Sequence, residues 1–322
     1  MMEPLPRGAN FQRCKILWEI GLQIAGNPAT PYYGNRDMCI AVGAGSGENF
    51  RPWLRMATGA PHLAHAVCDG SLEMAMVNPS GFLTQAYRGT GLFPAPLPVR
   101  VLAIYPSWDR FVYVFHPRTG LNSLAEIKTK HYPLRLSIRE DPHHSTRVLV
   151  DQTLAAYGFT LADIESWGGS LQLNGGPGDK RRLDALRAES IDAIFDEGLV
   201  LWFEEALAAG MRPVPLDETA FRNLEAIGWR RVAIPVGRFP HLKSDYACLD
   251  YGGWPLYTRA SLPDEDAYKV CEAIHARQKQ IYWEDSFTGI GQLGQDTDAT
   301  PRDVPLHPGA AKWYTEHGFK IS

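Results

Sequence analysis

The stretch Leu134-Arg135-Leu136-Ser137-Ile138-Arg139-Glu140-Asp141-Pro142-His143-His144-Ser145-Thr146, continuing through Tyr157-Gly158, decides the fold. Leu134, Leu136 and Ile138 alternate with Arg135, Ser137 and Arg139, the period-two pattern of a half-exposed strand. Pro142 blocks continuation of that strand, because its φ is fixed and it has no N–H to donate. Ser145–Tyr157 then reads as a helix, with Leu149, Thr153 and Ala156 on one face and Gly158 placed as its terminator. Strand, turn and helix in this order form the repeating unit of an α/β protein.

The same alternation extends in both directions. Downstream it predicts a helix over Lys180–Ala188, a strand over Ile191–Phe195, a helix over Leu199–Ala209 and strands over Arg212–Val214 and Val232–Ile234. A strand-like Pro255–Thr258, a long helix Asp264–Trp283 and a terminal helix from near Pro308 follow. Upstream, Phe11–Ala25 has helical spacing, and Met38–Val42 is a short apolar run before the Gly-rich turn Gly43–Gly47. Glu48–Met56 reads as helix, Leu72–Val77 as strand, Gly81–Tyr87 as helix, and Val99–Tyr105 and Arg110–Phe115 as strands. Crossings near 115–120 and 235–237 predict two hinged α/β lobes, an outer one of residues 1–113 plus 236–322 and an inserted one of 114–235. Ligands of such sheets sit at the carboxyl ends of strands, which here places them between the lobes.

Composition bounds the function. The 322 residues are 45% hydrophobic and 21% charged with a net charge of −4, which leaves no basic field for nucleic acid. No run of 18 apolar residues is present, so the chain is not membrane-embedded. Five scattered cysteines without a C-x-x-C pair argue against a disulfide framework. The first twenty residues carry Arg7, Arg13, Lys15 and Glu19 and no continuous apolar segment. The expected location is therefore periplasmic if a signal peptide precedes the given chain, and cytoplasmic if Met1 is the true start.

Four motifs carry candidate chemistry. In Gly43-Ala44-Gly45-Ser46-Gly47 a dinucleotide fingerprint fails because position 48 is Glu, and a nucleophile elbow fails because position 44 is Ala. What remains is a turn whose free N–H groups, with Ser46, can hold an anion, or an ordinary connection. At Asp141–Thr146, Ser145 or Thr146 either caps the helix or, with the positive end of the helix dipole, holds a carboxylate. Adjacent His143 and His144 point in different directions and lack a third ligand at metal spacing, so no metal is expected. Asn174–Lys180 lacks the phosphate-loop spacing, because Arg181 follows the lysine. In Asp196-Glu197-Gly198, Asp196 either caps the next helix or leaves Glu197 to meet an ammonium or hydroxyl across the cleft. No base or metal partner accompanies the two acids, so neither a catalytic residue nor a cofactor is assigned.

Several segments in order resemble the solute receptors of TAXI-type TRAP transporters. The most specific is Val304-Pro305-Leu306-His307-Pro308-Gly309-Ala310-Ala311-Lys312-Trp313-Tyr314-Thr315-Glu316-His317-Gly318. Weaker pieces are Leu102–Pro106 with Gly120–Ile127, Ala155–Ile164, and Ala185–Ala193. The resemblance implies a type II periplasmic-binding-protein fold and capture of a small anionic, carboxylate-bearing metabolite, with TRAP membrane subunits as partners. It implies ligand contacts at His144, Ser145 and Thr146, at Glu197, at Asn78 and Ser80 in the first lobe, and at Ser46 with Asn49 in the Gly-rich turn. The alternative is a cytoplasmic enzyme, for example a decarboxylase, or a ligand sensor on the same two-lobed fold.

Overall fold

A computed structural model describes Ile20 and residues 39–44, 51–58 and 61–321. Ser46, Asn49 and all but one residue of the first expected helix lie outside these described residues. In chain order the described strands are β1 (Cys39–Ala44), β2 (Arg51–Thr58), β3 (Met74–Met76), β4 (Val99–Tyr105), β5 (Arg110–Phe115) and β6 (Arg135–Arg139). They continue with β7 (Ser170–Asn174), β8 (Ala193–Asp196), β9 (Arg212–Pro213), β10 (Arg231–Ile234), β11 (Tyr246–Asp250) and β12 (Trp254–Arg259).

Two sheets form, one from β1–β4 with the returning β12 and the other from the consecutive strands β5–β11. The first runs β1-β2-β3-β12-β4, and the second β10-β11-β5-β8-β6-β7 with β9 also on β5. In the first, β2 and β3 are parallel, while the returning β12 is antiparallel to both β3 and β4. In the second, β7, β6 and β8 are parallel, while the outgoing β5 is antiparallel to both β8 and β9. The α/β expectation with two lobes therefore holds. The crossings move, because all of β5 and the β10–β11 hairpin belong to the second sheet. The chain crosses at 106–109 and returns at 251–253, rather than near 115 and 235. The two crossings run side by side: Tyr251 N donates to Asp109 O at 3.2 Å and Gly253 N to Ser107 O at 2.9 Å.

Helices fill the parallel connections, which a hairpin cannot make. Those near the crossings are α1 (Leu63–Cys68), α2 (Ser80–Arg88), α3 (Ala125–Thr129) and α4 (Ser145–Ala156). Further along come α5 (Leu161–Ser166), α6 (Lys180–Arg187), α7 (Phe203–Ala208), α8 (Glu218–Ile227), α9 (Asp264–Arg277) and α10 (Pro308–Glu316). On α4, Thr146, Leu149, Val150, Thr153 and Leu154 are buried, a complete i, i+3, i+4 stripe. One apolar core runs through both lobes, joining Phe82 and Leu83 of α2 to Leu149 and Leu154 of α4 and to Leu224 and Trp229. A second lies behind β5 and β8 with Trp202 and Phe203, and a third packs α9 and α10 against β4.

Two secondary-structure expectations are corrected. Residues 51–56, expected as part of a helix, are strand: β2 ladders with β1 and β3, Leu54 and Met56 pack on the third core, and Arg55 pairs with Glu73 at 2.8 Å. The long helix expected to reach Trp283 ends at Arg277.

Candidate functional site

Local sequence places three polar groups at the carboxyl ends of strands. After β3, the peptide Asn78-Pro79 is cis, and α2 starts at Ser80. Asn78 Nδ2 donates to the carbonyls of Tyr251 at 3.3 Å and Gly253 at 3.1 Å, and Ser80 Oγ donates to Gly252 O at 3.3 Å. The first-lobe candidates thus grip the returning crossing. A shallow depression lies beside it, lined by Ser80, Gly81, Arg230, Asp250, Gly252, Pro301 and Asp303.

From the second lobe, the 141–146 turn reaches the same crossing. Ser145 Oγ lies 2.6 Å and Thr146 Oγ1 3.0 Å from the hydroxyl of Tyr251. Neither residue caps α4. The cap is His144, whose Nδ1 accepts from Thr146 N at 3.2 Å, while Asp141 Oδ1 accepts from His143 N at 2.8 Å to tighten the turn. The expected hydroxyl cap is displaced because the residue before them already supplies an acceptor. That leaves both hydroxyls free to reach sideways.

The third group follows β6 and β8. Arg139 donates through Nε to Asp196 Oδ1 at 3.1 Å, through Nη1 to Gly175 O at 3.1 Å, and through Nη2 to Glu197. Asp196 also takes the Nη1 of Arg182, whose Nε donates to Ser137 Oγ at 3.0 Å. Asp196 is therefore spent on two guanidinium groups and its own neighbour's N–H, and it caps no helix. Glu197 meets Arg139 of this chain. Asp109, on the outgoing crossing, accepts from Gly198 N at 2.9 Å and from Arg110 N at 2.7 Å. Burial, then the repulsion of Glu197, pushes the Asp109 carboxyl well above the usual carboxylate range. Burial and Asp196 raise Glu197 likewise, against the pull of Arg139.

This cluster overturns one sequence reading. Ser137 and Arg139 face the interior, at 0% and 7% exposure, so β6 is buried on both faces and not half-exposed. Polar residues on its second face are satisfied by partners more than thirty residues away, which periodicity cannot see. Sequence reasoning also missed Tyr251 and Asp109. Their only local signal is the Gly252-Gly253 step after a strand-like run and the Asp109-Arg110 pair opening another.

Residues 54–318 match the family model described as "NMT1-like family". The chain belongs to the NMT1-like family. Solved structures that this NMT1-like chain resembles include a glycine/betaine/L-proline-binding protein (ProX) from Borrelia burgdorferi, at 14% identity over 70% of this chain and 68% of that one, with a TM-score of 0.38. A lactococcal OpuAC complexed with glycine betaine shares 12% over 81% and 85%, with a TM-score of 0.34. A putative sulfonate-binding protein SsuA from Methylobacillus flagellatus shares 10% over 79% and 61%, with a TM-score of 0.36. The architecture is two α/β lobes with one sheet in each, β12 returning to the first. Among the described residues of this NMT1-like chain, no helix is long and apolar enough to cross a membrane.

Proposed function

We propose that the chain is a solute-binding protein that holds a small carboxylate-bearing metabolite between its lobes and delivers it to a TRAP-type transporter. The observation that carries this reading is convergence. Asn78 and Ser80 from one lobe and Ser145 and Thr146 from the other all bond to the three residues Tyr251–Gly253 of the returning crossing. A ligand seated there touches both lobes at once, which is the geometry for coupling capture to closure. Ser145 and Thr146 begin a twelve-residue helix, whose dipole favours a carboxylate at that end. Glu197 borders the proposed site, and Ser46 and Asn49, which the resemblance implies as further contacts, lie outside the described residues. The C-terminal motif of residues 304–318, which resembles the TAXI-type receptors, supports the transporter assignment. Under this reading the protein works outside the cytoplasmic membrane with TRAP membrane subunits as partners.

Titration calorimetry with acetate, succinate, L-aspartate and L-glutamate tests the proposal. Saturable binding of at least one acid, recovered unchanged by NMR, is the expected result. Absence of heat for all four contradicts it, and steady conversion of any of them transfers the case to an enzyme.

A further inference from the structure

The end of α8 and the step to β10 read Glu225-Ala226-Ile227-Gly228-Trp229-Arg230, and they belong to the second lobe. Their residues nevertheless meet the first lobe one after another. Arg88 Nη1 donates to Glu225 O at 3.3 Å, and Thr90 Oγ1 donates to Ile227 O at 2.6 Å. Gly228 has a φ of +118°, and a Cβ there would stand 3.2 Å from both Gln85 N and Thr84 Cγ2. Glycine thus suits both the bend and the close approach of α2. Trp229, 2% exposed, lies against the first turn of α2, where a Cβ on Gly81 would come within 2.7 Å of its Cε3. Arg230 reaches the acidic segment 296–303. Its Nη1 and Nη2 donate to Asp296 at 2.7 and 3.0 Å, and its Nε and Nη2 donate to Asp303 at 2.9 Å each.

That acidic segment is fixed to the first lobe. Thr84 Oγ1 of α2 donates to Asp303 Oδ2 at 3.3 Å, and just beyond it Val101 N of β4 donates to Pro305 O at 3.0 Å. Four hydrogen bonds from one half-buried guanidinium to two carboxylates make a bidentate network, the arrangement in which ion pairs count most. Arg230 and its partners stand on different lobes, so rotation about the crossings at 106–109 and 251–253 pulls them apart. The same rotation lifts α2 off the indole of Trp229 and returns its apolar surface to water. We infer that residues 225–230 are a latch that holds the two lobes closed in the ligand-free chain, with Trp229 as its apolar contact and Arg230 as its ionic one. This goes beyond the proposed solute-binding role, because it makes closed the resting state that a solute has to open.

Two variants attack the latch at different points. Arg230→Met removes the ionic contact. Gly81→Ala removes nothing and wedges a methyl group against Trp229, at a helical position where alanine is otherwise preferred to glycine. The control is Arg231→Met, since Arg231 pairs at 2.7 Å with Glu218 of its own lobe. Small-angle X-ray scattering of each ligand-free protein reads the outcome, and thermal melting confirms that each is folded. The expected result is a larger radius of gyration and maximum dimension than the wild type in Gly81→Ala and in Arg230→Met, and the largest in the double variant. Arg231→Met should scatter like the wild type. A folded double variant as compact as the wild type overturns the inference, and so does equal expansion in Arg231→Met. Should the double variant fail to fold, Arg230→Met alone decides by the same criterion. No ligand enters these measurements, so their failure leaves the solute-binding role standing, and silence of the calorimetric panel leaves the latch standing.

Discussion

Two polar clusters lie at the same end of the second sheet, one charged and one neutral. Around Arg139, Asp196 and Arg182, charge meets charge inside the protein, and Asp196 has no exposed surface left. Around Tyr251, three neutral hydroxyls meet, and Ser145 among them is only partly buried. The first cluster is spent inside the fold, and the proposed ligand site lies at the second. Both sit where strand ends converge, so position alone does not mark a binding residue.

The comparison is broken most forcefully by removing Asp196. Asp196→Ala leaves the guanidinium groups of Arg139 and Arg182 without their shared carboxylate, and breaking a buried pair of this kind costs about 3–5 kcal/mol. Denaturant titration reads the loss. A change under about 1 kcal/mol would mean that the cluster is not structural.

Next in size is the contact that ties the lobes together beside the site. Gln85 on α2 and Gln152 on α4 exchange amide hydrogen bonds at 3.3 and 3.1 Å, and Trp229 Nε1 donates to Gln152 Oε1 at 2.7 Å. Phe82 meets Trp229 edge-on at 5.0 Å, so the clasp is set in apolar surroundings. Gln152→Ala strands Gln85 and the indole N–H, with an expected loss of about 1–3 kcal/mol. Equal stability in the variant would remove the clasp from the account.

Ser145→Ala separates the two clusters by kind of effect. The cap of α4 is His144, so stability should fall by no more than about 1 kcal/mol. Affinity for the bound acid should fall several-fold, as the proposed site loses a hydroxyl. A variant that melts early and binds normally would return Ser145 to a purely structural role.

How much of this was legible follows from the range of each interaction. The α/β class and most strands and helices from 72 onward are written in local periodicity, but β7, β11 and α8 were not expected from it. The return of β12 between β3 and β4 leaves no local trace, because its partners lie more than 140 residues earlier. Asn78, Ser80, Ser145 and Thr146 could be picked out because each follows a strand or opens a helix. Arg139 was hidden by its alternation with leucine, which mimics an exposed face. Tyr251 was hidden because its partners are 105 and 106 residues away.

The smallest expected effect concerns the histidine caps that punctuate the fold. His116 and His307 each accept a backbone N–H at Nδ1, from Arg118 and Gly309, both at 3.2 Å. Burial holds each below the ordinary histidine pKa of about 6.5, with Arg118 adding to the effect at His116. The unfolded chain therefore binds protons that the folded chain refuses. Stability from these groups is full above about pH 6.5 and is lost as pH falls through the folded pKa values. His307→Asn keeps a capping acceptor without a titrating group, and should flatten melting temperature against pH between 7 and 5. An unchanged slope would assign the acid sensitivity to other groups.

The central claim is that one small acid is held by both lobes at the returning crossing. A crystal structure with the tightest-binding acid of the calorimetric panel tests it directly. The account predicts an acid oxygen within hydrogen-bond distance of Ser145 or Thr146, and a second polar contact from the first lobe at Asn78 or Ser80. An acid seated away from residues 251–253, or touching one lobe alone, would contradict it.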